Sequence, residues 1–159
     1  MKQNKSLATN VILLVSVIAV ILAIVTPMFF LDYTKGGIHA IWGWTGIFGG
    51  SFEITTNGVE QNISCQFNWV LYVNLLLTLV AGATTYFIGP KAKGYYIVGA
   101  ILFAVVAIIN FSTETWLISN SLIPAGGVKY LGVGPWVGGI GAVVSAISCI
   151  VAHSFEKNN

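Results

Sequence analysis

The residues able to do chemistry are few and scattered along the chain. Cys65 lies in a polar stretch between two apolar runs, and Cys149 lies deep in the last apolar run. Most of a membrane separates the two, so they cannot bridge each other. His39 and Asp32 are two candidate metal ligands with no third, and His153 stands alone near the C-terminal end. A metal site needs at least three protein ligands converging on one point. Glu114, beside Trp116, reads as a solvated acid at a helix end, with Lys129 as an alternative partner. No nucleophile–base pair and no ligand set emerges, so the expectation is a protein that is not an enzyme and carries no cofactor. The apolar runs hold no Asp, Glu, Lys, Arg or His at their centres. Intramembrane ionisable groups mark ion and proton paths, so a coupled pump or carrier is disfavoured.

Two sets of residues inside the apolar runs remain. Asn74, Thr78, Ala81, Gly82 and Thr85 share one helical face, and Asn110 falls at a similar depth on the next run. The expected use of Asn74, Thr78 and Asn110 is an Asn–Asn or Asn–Thr hydrogen bond between helices, worth on the order of 0.6 kcal/mol and at most about 2. The alternative is the lining of a path for a small neutral or lipophilic solute. Gly134, Gly138, Ala142, Ser145 and Cys149 recur at steps of four, four, three and four. Such a strip lets helix backbones approach closely in lipid. Packing within the bundle is its first reading, contact with another subunit its second.

These residues need a frame, and the composition names its solvent. The chain is 56% hydrophobic and 8% charged with a mean hydropathy of +0.85, against about 25% charged in a soluble domain. Four runs approach the ~20 residues that cross a bilayer: about 9–31, 68–88, 95–111 and 135–153. The first is too long for a signal core and no small-residue cleavage motif follows it, so it reads as a retained helix. Pro27 near its outer end is a helix stop or kink, and Pro135 suits a first helical turn. Lys2 and Lys5, Lys91 and Lys93, and Lys157 flank one side of the frame. The positive-inside rule then puts both termini in the cytoplasm and the loops 32–67 and 112–134 outside. Trp42, Trp44, Trp69, Trp116 and Trp136 all fall on the outer side. The net charge of +2, with no Arg and no basic stripe, speaks against nucleic acid.

The first outer loop reads as folded. Asn57-Gly58 is a hairpin turn signal between two alternating runs. Counting outward from it pairs Thr56 with Val59, Glu53 with Asn62, Phe52 with Ile63, Ser51 with Ser64, Gly50 with Cys65 and Phe48 with Phe67. Phe48, Phe52, Ile63, Cys65 and Phe67 form an apolar face, which makes Cys65 a buried structural thiol and requires a cover. That cover is expected from a third strand over 38–45 or from the second outer loop, where Pro124-Ala125-Gly126-Gly127 signals a turn and 115–118 an extension of the third helix. Gly49-Gly50 suggests a bulge or a close backbone approach. Asn62-Ile63-Ser64 and Asn110-Phe111-Ser112 match the glycosylation sequon.

The run Trp42/Trp44, Gly46-Ile47-Phe48-Gly49-Gly50-Ser51 and then Cys65 resembles the first-loop signature W…G-L-W-x-x-C…C of the claudin-like tetraspan family. Phe48 stands for the motif tryptophan and Ser51 for the first cysteine, so the family's loop disulfide cannot form. Tyr130 to Trp136 is similar to the segment that enters the family's last helix. The resemblance and the hydropathy together imply a membrane all-α protein, a four-transmembrane-helix bundle with a small extracytoplasmic β-hairpin or sheet. The expected role is that of a multi-pass structural or accessory protein of the plasma membrane. Its expected partners are membrane lipid and other membrane subunits or copies of itself, met through Trp42, Trp44, Phe48, Phe52 and Cys65 outside.

Overall fold

The computed structural model describes residues 2–33, 37–56, 58–92, 94–119, 121–122 and 128–157. In chain order these form α1 (Lys2–Val25), β1 (Pro27–Tyr33), β2 (Gly37–Trp42), α2 (Gly43–Phe48), β3 (Gly50–Thr56), β4 (Val59–Cys65), α3 (Trp69–Ile88), α4 (Tyr95–Phe111), α5 (Thr113–Ser119), β5 (Ser121–Leu122), β6 (Val128–Leu131) and α6 (Val133–Lys157). The protein is mostly helical with small antiparallel sheets at one end. Helices α1, α3, α4 and α6 pack as a closed ring, each against two others.

Two helices, Trp69–Ile88 and Val133–Phe155, are long and apolar enough to cross a membrane, and Thr9–Val25 and Tyr95–Phe111 are apolar but shorter. The ring is inverted relative to a soluble bundle. Leu14, Ile21, Val80, Ile101, Ile108, Ile140 and Ile147 face outward, while Ser16, Asn74, Thr78, Thr85, Asn110 and Ser145 are buried. An apolar exterior over this length is costly in water and favourable in lipid, so the surface is that of a membrane-associated protein.

Helix boundaries follow local chemistry. Asn68 caps α3 by accepting from the Leu71 amide at 3.2 Å. Gly94, at φ +80°, turns the chain into α4, which spans the expected residues. The expected first run, 9–31, is corrected. Its helix ends at Val25, and 27–31 belong to β1. Pro27 has no amide hydrogen to continue the ladder, and the aromatic residues that follow favour a strand. Likewise 115–118 do not prolong the third run as one helix, because α5 is separate from α4 and follows a break at Ser112.

One end of the ring holds two three-stranded antiparallel sheets, ordered β2-β1-β6 and β3-β4-β5. The β3–β4 register pairs Thr56 with Val59, Glu53 with Asn62, Phe52 with Ile63, Ser51 with Ser64 and Gly50 with Cys65. This is the alignment that the turn signal dictates. Asn57 lies outside the described residues, and Gly58 has φ +76°. The pairing of Phe48 with Phe67 does not occur. Phe48 ends α2, and the ladder begins after Gly49. Gly49 sits at φ +88°, where a Cβ would stand 3.0 Å from the Cys65 carbonyl oxygen. The close backbone approach expected at Gly49-Gly50 is therefore present.

The third strand of the hairpin is not 38–45. Residues 37–42 join β1 in the other sheet, and the hairpin receives β5 through Ser64–Leu122 and Cys65–Ser121. The segment between α5 and α6 thus supplies one strand to each sheet, β5 to one and β6 to the other. The turn signal at 124–127 falls outside the described residues.

Candidate functional site

Side chains of functional interest gather at two levels, an aromatic collar around the sheet-bearing end and a polar layer within the ring. The collar begins at α2. Gly43, Gly46 and Ile47 are buried at the i, i+3, i+4 spacing of one helical face. That face rests on the C-terminal end of α1, where the Gly43 amide donates to the Thr26 carbonyl at 3.0 Å. The opposite face carries Trp44 outward. From Trp44 a chain of ring contacts runs through Phe48 at 4.4 Å, Tyr72 at 6.0 Å, Phe67 at 5.3 Å and Trp69 at 5.0 Å. Across the ring, Phe111 and Trp136 meet at 5.5 Å. Trp42, Trp44, Trp69 and Trp136 are more than half exposed, whereas Trp116 is part-buried and its indole donates to the Ser112 hydroxyl at 3.1 Å.

Of the first-loop residues singled out by sequence, Trp42 and Trp44 stand on this exposed collar. Phe52 and Cys65 instead face inward. Phe52 packs against a core formed by Met28, Phe29, Leu31, Ile41, Ile47, Ile54, Ile63, Cys65, Leu71 and Leu117. This core joins both sheets to the top of the ring, so the apolar face of the hairpin is covered by its own chain. Cys65 is a buried thiol within it. A membrane-impermeant maleimide is therefore expected to leave Cys65 unmodified in native membranes and to react once sodium dodecyl sulfate unfolds the chain. Rapid labelling of the native protein would show that the hairpin is not seated.

Asn68 is the residue that sequence reasoning passed over. It is fully buried. Its Nδ2 donates to the Trp116 carbonyl at 2.7 Å, its Oδ1 caps α3, and its backbone amide donates to the Ile47 carbonyl at 3.0 Å. One side chain thus locks α3 to α5, and its backbone locks α3 to α2. An Asn immediately before an apolar helical run was the available signal.

In the polar layer the strip on α6 turns inward. A Cβ on Gly134 would meet the Thr26 hydroxyl at 2.9 Å, and one on Gly138 would meet Asn110 Oδ1 at 2.7 Å. Ala142, Ser145 and Cys149 are buried. The strip serves packing inside this chain, against α1 and α4. Gly138 has a further task, since its missing side chain makes room for the Asn110 carboxamide.

The direct hydrogen bond expected between helices, from Asn110 to Asn74 or to Thr78, is not made. Thr78 donates to the Asn74 carbonyl at 2.8 Å, and Asn110 Nδ2 donates to the Val106 carbonyl at 2.9 Å. Each hydrogen goes to the residue's own helix, where a carbonyl four positions back is always in reach. Asn74, Thr78 and Asn110 nevertheless line one small cavity between the helices, of about 20 Å³.

The remaining candidates do not converge. Asp32 pairs with Ile38 and Leu31 with His39, which puts His39 and Asp32 on opposite faces of their sheet. Among the described residues no three His, Cys, Asp or Glu side chains are grouped to hold a metal. Asn62 is exposed on β4, while Asn110 is buried and closed to glycosylation. Comparison with protein-family models and with characterised proteins finds no match to this chain.

Proposed function

We propose that this chain is a non-enzymatic, multi-pass protein of the plasma membrane that works by protein contacts at its outer end. In this reading α1 and α4 span the bilayer beside α3 and α6, both termini are cytoplasmic, and the layout is claudin-like. Several features support that layout. The polar groups are turned into the ring, Lys91, the start of α1 and the end of α6 lie at the end opposite the sheets, and the first outer loop folds with strands from the second.

The observation that carries the contact role is β2. It is an edge strand, because its sheet is ordered β2-β1-β6. Ile38, Ala40 and Trp42 alternate onto one face, with Ile38 69% and Trp42 52% exposed. Its six residues, Gly-Ile-His-Ala-Ile-Trp, include no Lys, Glu or Pro. Monomeric proteins guard such edges with charge or proline, and an unguarded apolar edge pairs with another chain. A partner subunit or a second copy adds there, with Trp42 and Trp44 as aromatic anchors.

The test is assembly in mild detergent. Wild-type protein is expected to migrate as a complex or to co-purify with another membrane protein. Ile38→Lys and Trp42→Ala are expected to weaken that association by about 30-fold, the loss typical of an interfacial hot spot of ~2 kcal/mol, without lowering the melting temperature. A wild-type chain that runs as a lone monomer and retains nothing overturns the reading. The second reading, a channel or carrier for a small neutral solute, is favoured by the shared cavity of Asn74, Thr78 and Asn110. It requires that proteoliposomes leak such a solute and that Asn74→Leu stop the leak.

A further inference from the structure

The polar layer contains an imbalance that points to a guest. Asn74 is 6% exposed, and its Oδ1 is buried without a hydrogen-bond partner. A buried amide oxygen left unpaired costs about 1–3 kcal/mol. Such an oxygen in a folded protein calls for a specific explanation. Asn74 also lines the cavity shared by Thr78, Asn110 and Thr113, beneath Met28 and Ile47 of the outer end. The hydroxyl hydrogens around it are already committed. Thr78 gives its own to the Asn74 carbonyl at 2.8 Å, and Thr113 gives its own to the Ile109 carbonyl at 3.4 Å. A hydroxyl has one hydrogen and two lone pairs, so these groups have acceptor capacity left to offer. Asn110 commits an Nδ2 hydrogen to Val106 at 2.9 Å, and its Oδ1 faces Gly138.

We infer that this cavity is a binding site for one small neutral hydrogen-bond donor, a water molecule, bonded to Asn74 Oδ1 between α3 and α4. Size selects the guest. The cavity measures about 20 Å³, and one water needs roughly 10–15 Å³ on this measure together with two to four polar neighbours. Charge selects it as well. No Asp or Glu lines the cavity, so nothing there offsets the desolvation of a cation. The guest takes the place of the direct Asn–Asn bond, linking α3 to α4. The site is independent of the contact role proposed for β2.

The experiment is solution NMR on the full chain in detergent micelles, labelled with ¹⁵N-asparagine. The side-chain amide protons of Asn74 and Asn110 are expected to show cross-relaxation with a long-lived water, and the Asn110 signal is expected to be lost in Asn74→Leu. Thr78→Val, which keeps the shape but removes one lining acceptor, is expected to weaken the Asn74 cross-peak without abolishing it; complete loss would mean that the signal was relayed through the Thr78 hydroxyl, and the inference fails. A wild-type chain with no water cross-peak at either amide has a dry cavity, and the inference fails. An Asn110 cross-peak that persists in Asn74→Leu also overturns it, because the water is then held by other groups. Should Asn74→Leu not fold, the wild-type and Thr78→Val spectra decide the matter.

Discussion

Replacing Gly43 by alanine is expected to lower the melting temperature of the detergent-solubilised protein by roughly 6–12 °C, the equivalent of about 3 kcal/mol for a chain of this size. Gly43 is the first residue of α2 and lies against the last turn of α1. A Cβ there would fall on the carbonyl oxygen of Ala23, and the Ile24 carbonyl oxygen is 3.0 Å away. Both obstacles are helix backbone, which cannot rotate aside as a side chain can. To admit the methyl group α2 must lift, breaking the 3.0 Å bond from the Gly43 amide to the Thr26 carbonyl. Lifting α2 also withdraws Ile47 from the core beneath the sheets and Trp44 from the collar. Gly141→Ala is the contrasting control. Its Cβ would meet only side-chain carbons, Val15 Cγ1 at 3.3 Å and Ala19 Cβ at 3.5 Å. A helical glycine replaced by alanine gains up to about 1 kcal/mol in propensity, so little net change is expected. Calorimetry on the two variants checks this, and a Gly43→Ala protein melting within about 2 °C of wild type would show that α2 is not seated as described.

Asn68→Ala is the second large effect, expected to cost about 2–4 kcal/mol. Loss of an N-cap accounts for about 0.5–2 kcal/mol. The rest comes from the Trp116 carbonyl, left without its 2.7 Å donor. Three conservative variants separate these terms. Asn68→Ser keeps a cap acceptor but cannot reach Trp116. Asn68→Asp keeps the acceptor, loses the donor and buries a charge, so it is expected to be worse than serine. Asn68→Gln keeps both groups at the wrong reach. Hydrogen exchange at the Leu71 amide reads the cap, and exchange across 113–119 reads the tie to α5. If Asn68→Ser melts like wild type, the bond to Trp116 contributes nothing.

The two positions differ in how they could have been found. Asn68 follows from a rule about helix starts, because its capping role lies within three residues of chain. Its second role, holding Trp116 forty-eight residues away, has no local sign. Gly43 has the reverse character. The i, i+3, i+4 recurrence of Gly43, Gly46 and Ile47 was present in the sequence. Yet Trp-Gly-Trp-Thr-Gly-Ile-Phe has poor helix propensity and reads as strand or loop. Only the surface offered by the end of α1 makes a helix there favourable, and so Phe48 ends α2 instead of extending the hairpin. A similar limit applies to 27–31. Hydropathy merged these residues with the preceding helix, since Pro-Met-Phe-Phe-Leu is as apolar as a spanning segment. Hydropathy scores burial in any apolar surroundings, whether lipid or a sheet core.

What the sequence by itself determined is local in origin. Four apolar helices, their polar and small-residue faces, and the β3–β4 register follow from periodicity and turn chemistry, which act over a few residues. The tertiary structure decided which surfaces meet. It assigned 37–42 to a sheet with β1, drew β5 and β6 from the second loop to complete both sheets, and set Gly138 against Asn110. It also closed the apolar face of the hairpin with Leu117 and Leu71 where no disulfide holds the loop. The β1–β6 and β4–β5 pairings and the contact of Gly138 with Asn110 join residues tens of positions apart. Several apolar partners satisfy each surface equally well in sequence, and only the packed geometry distinguishes among them.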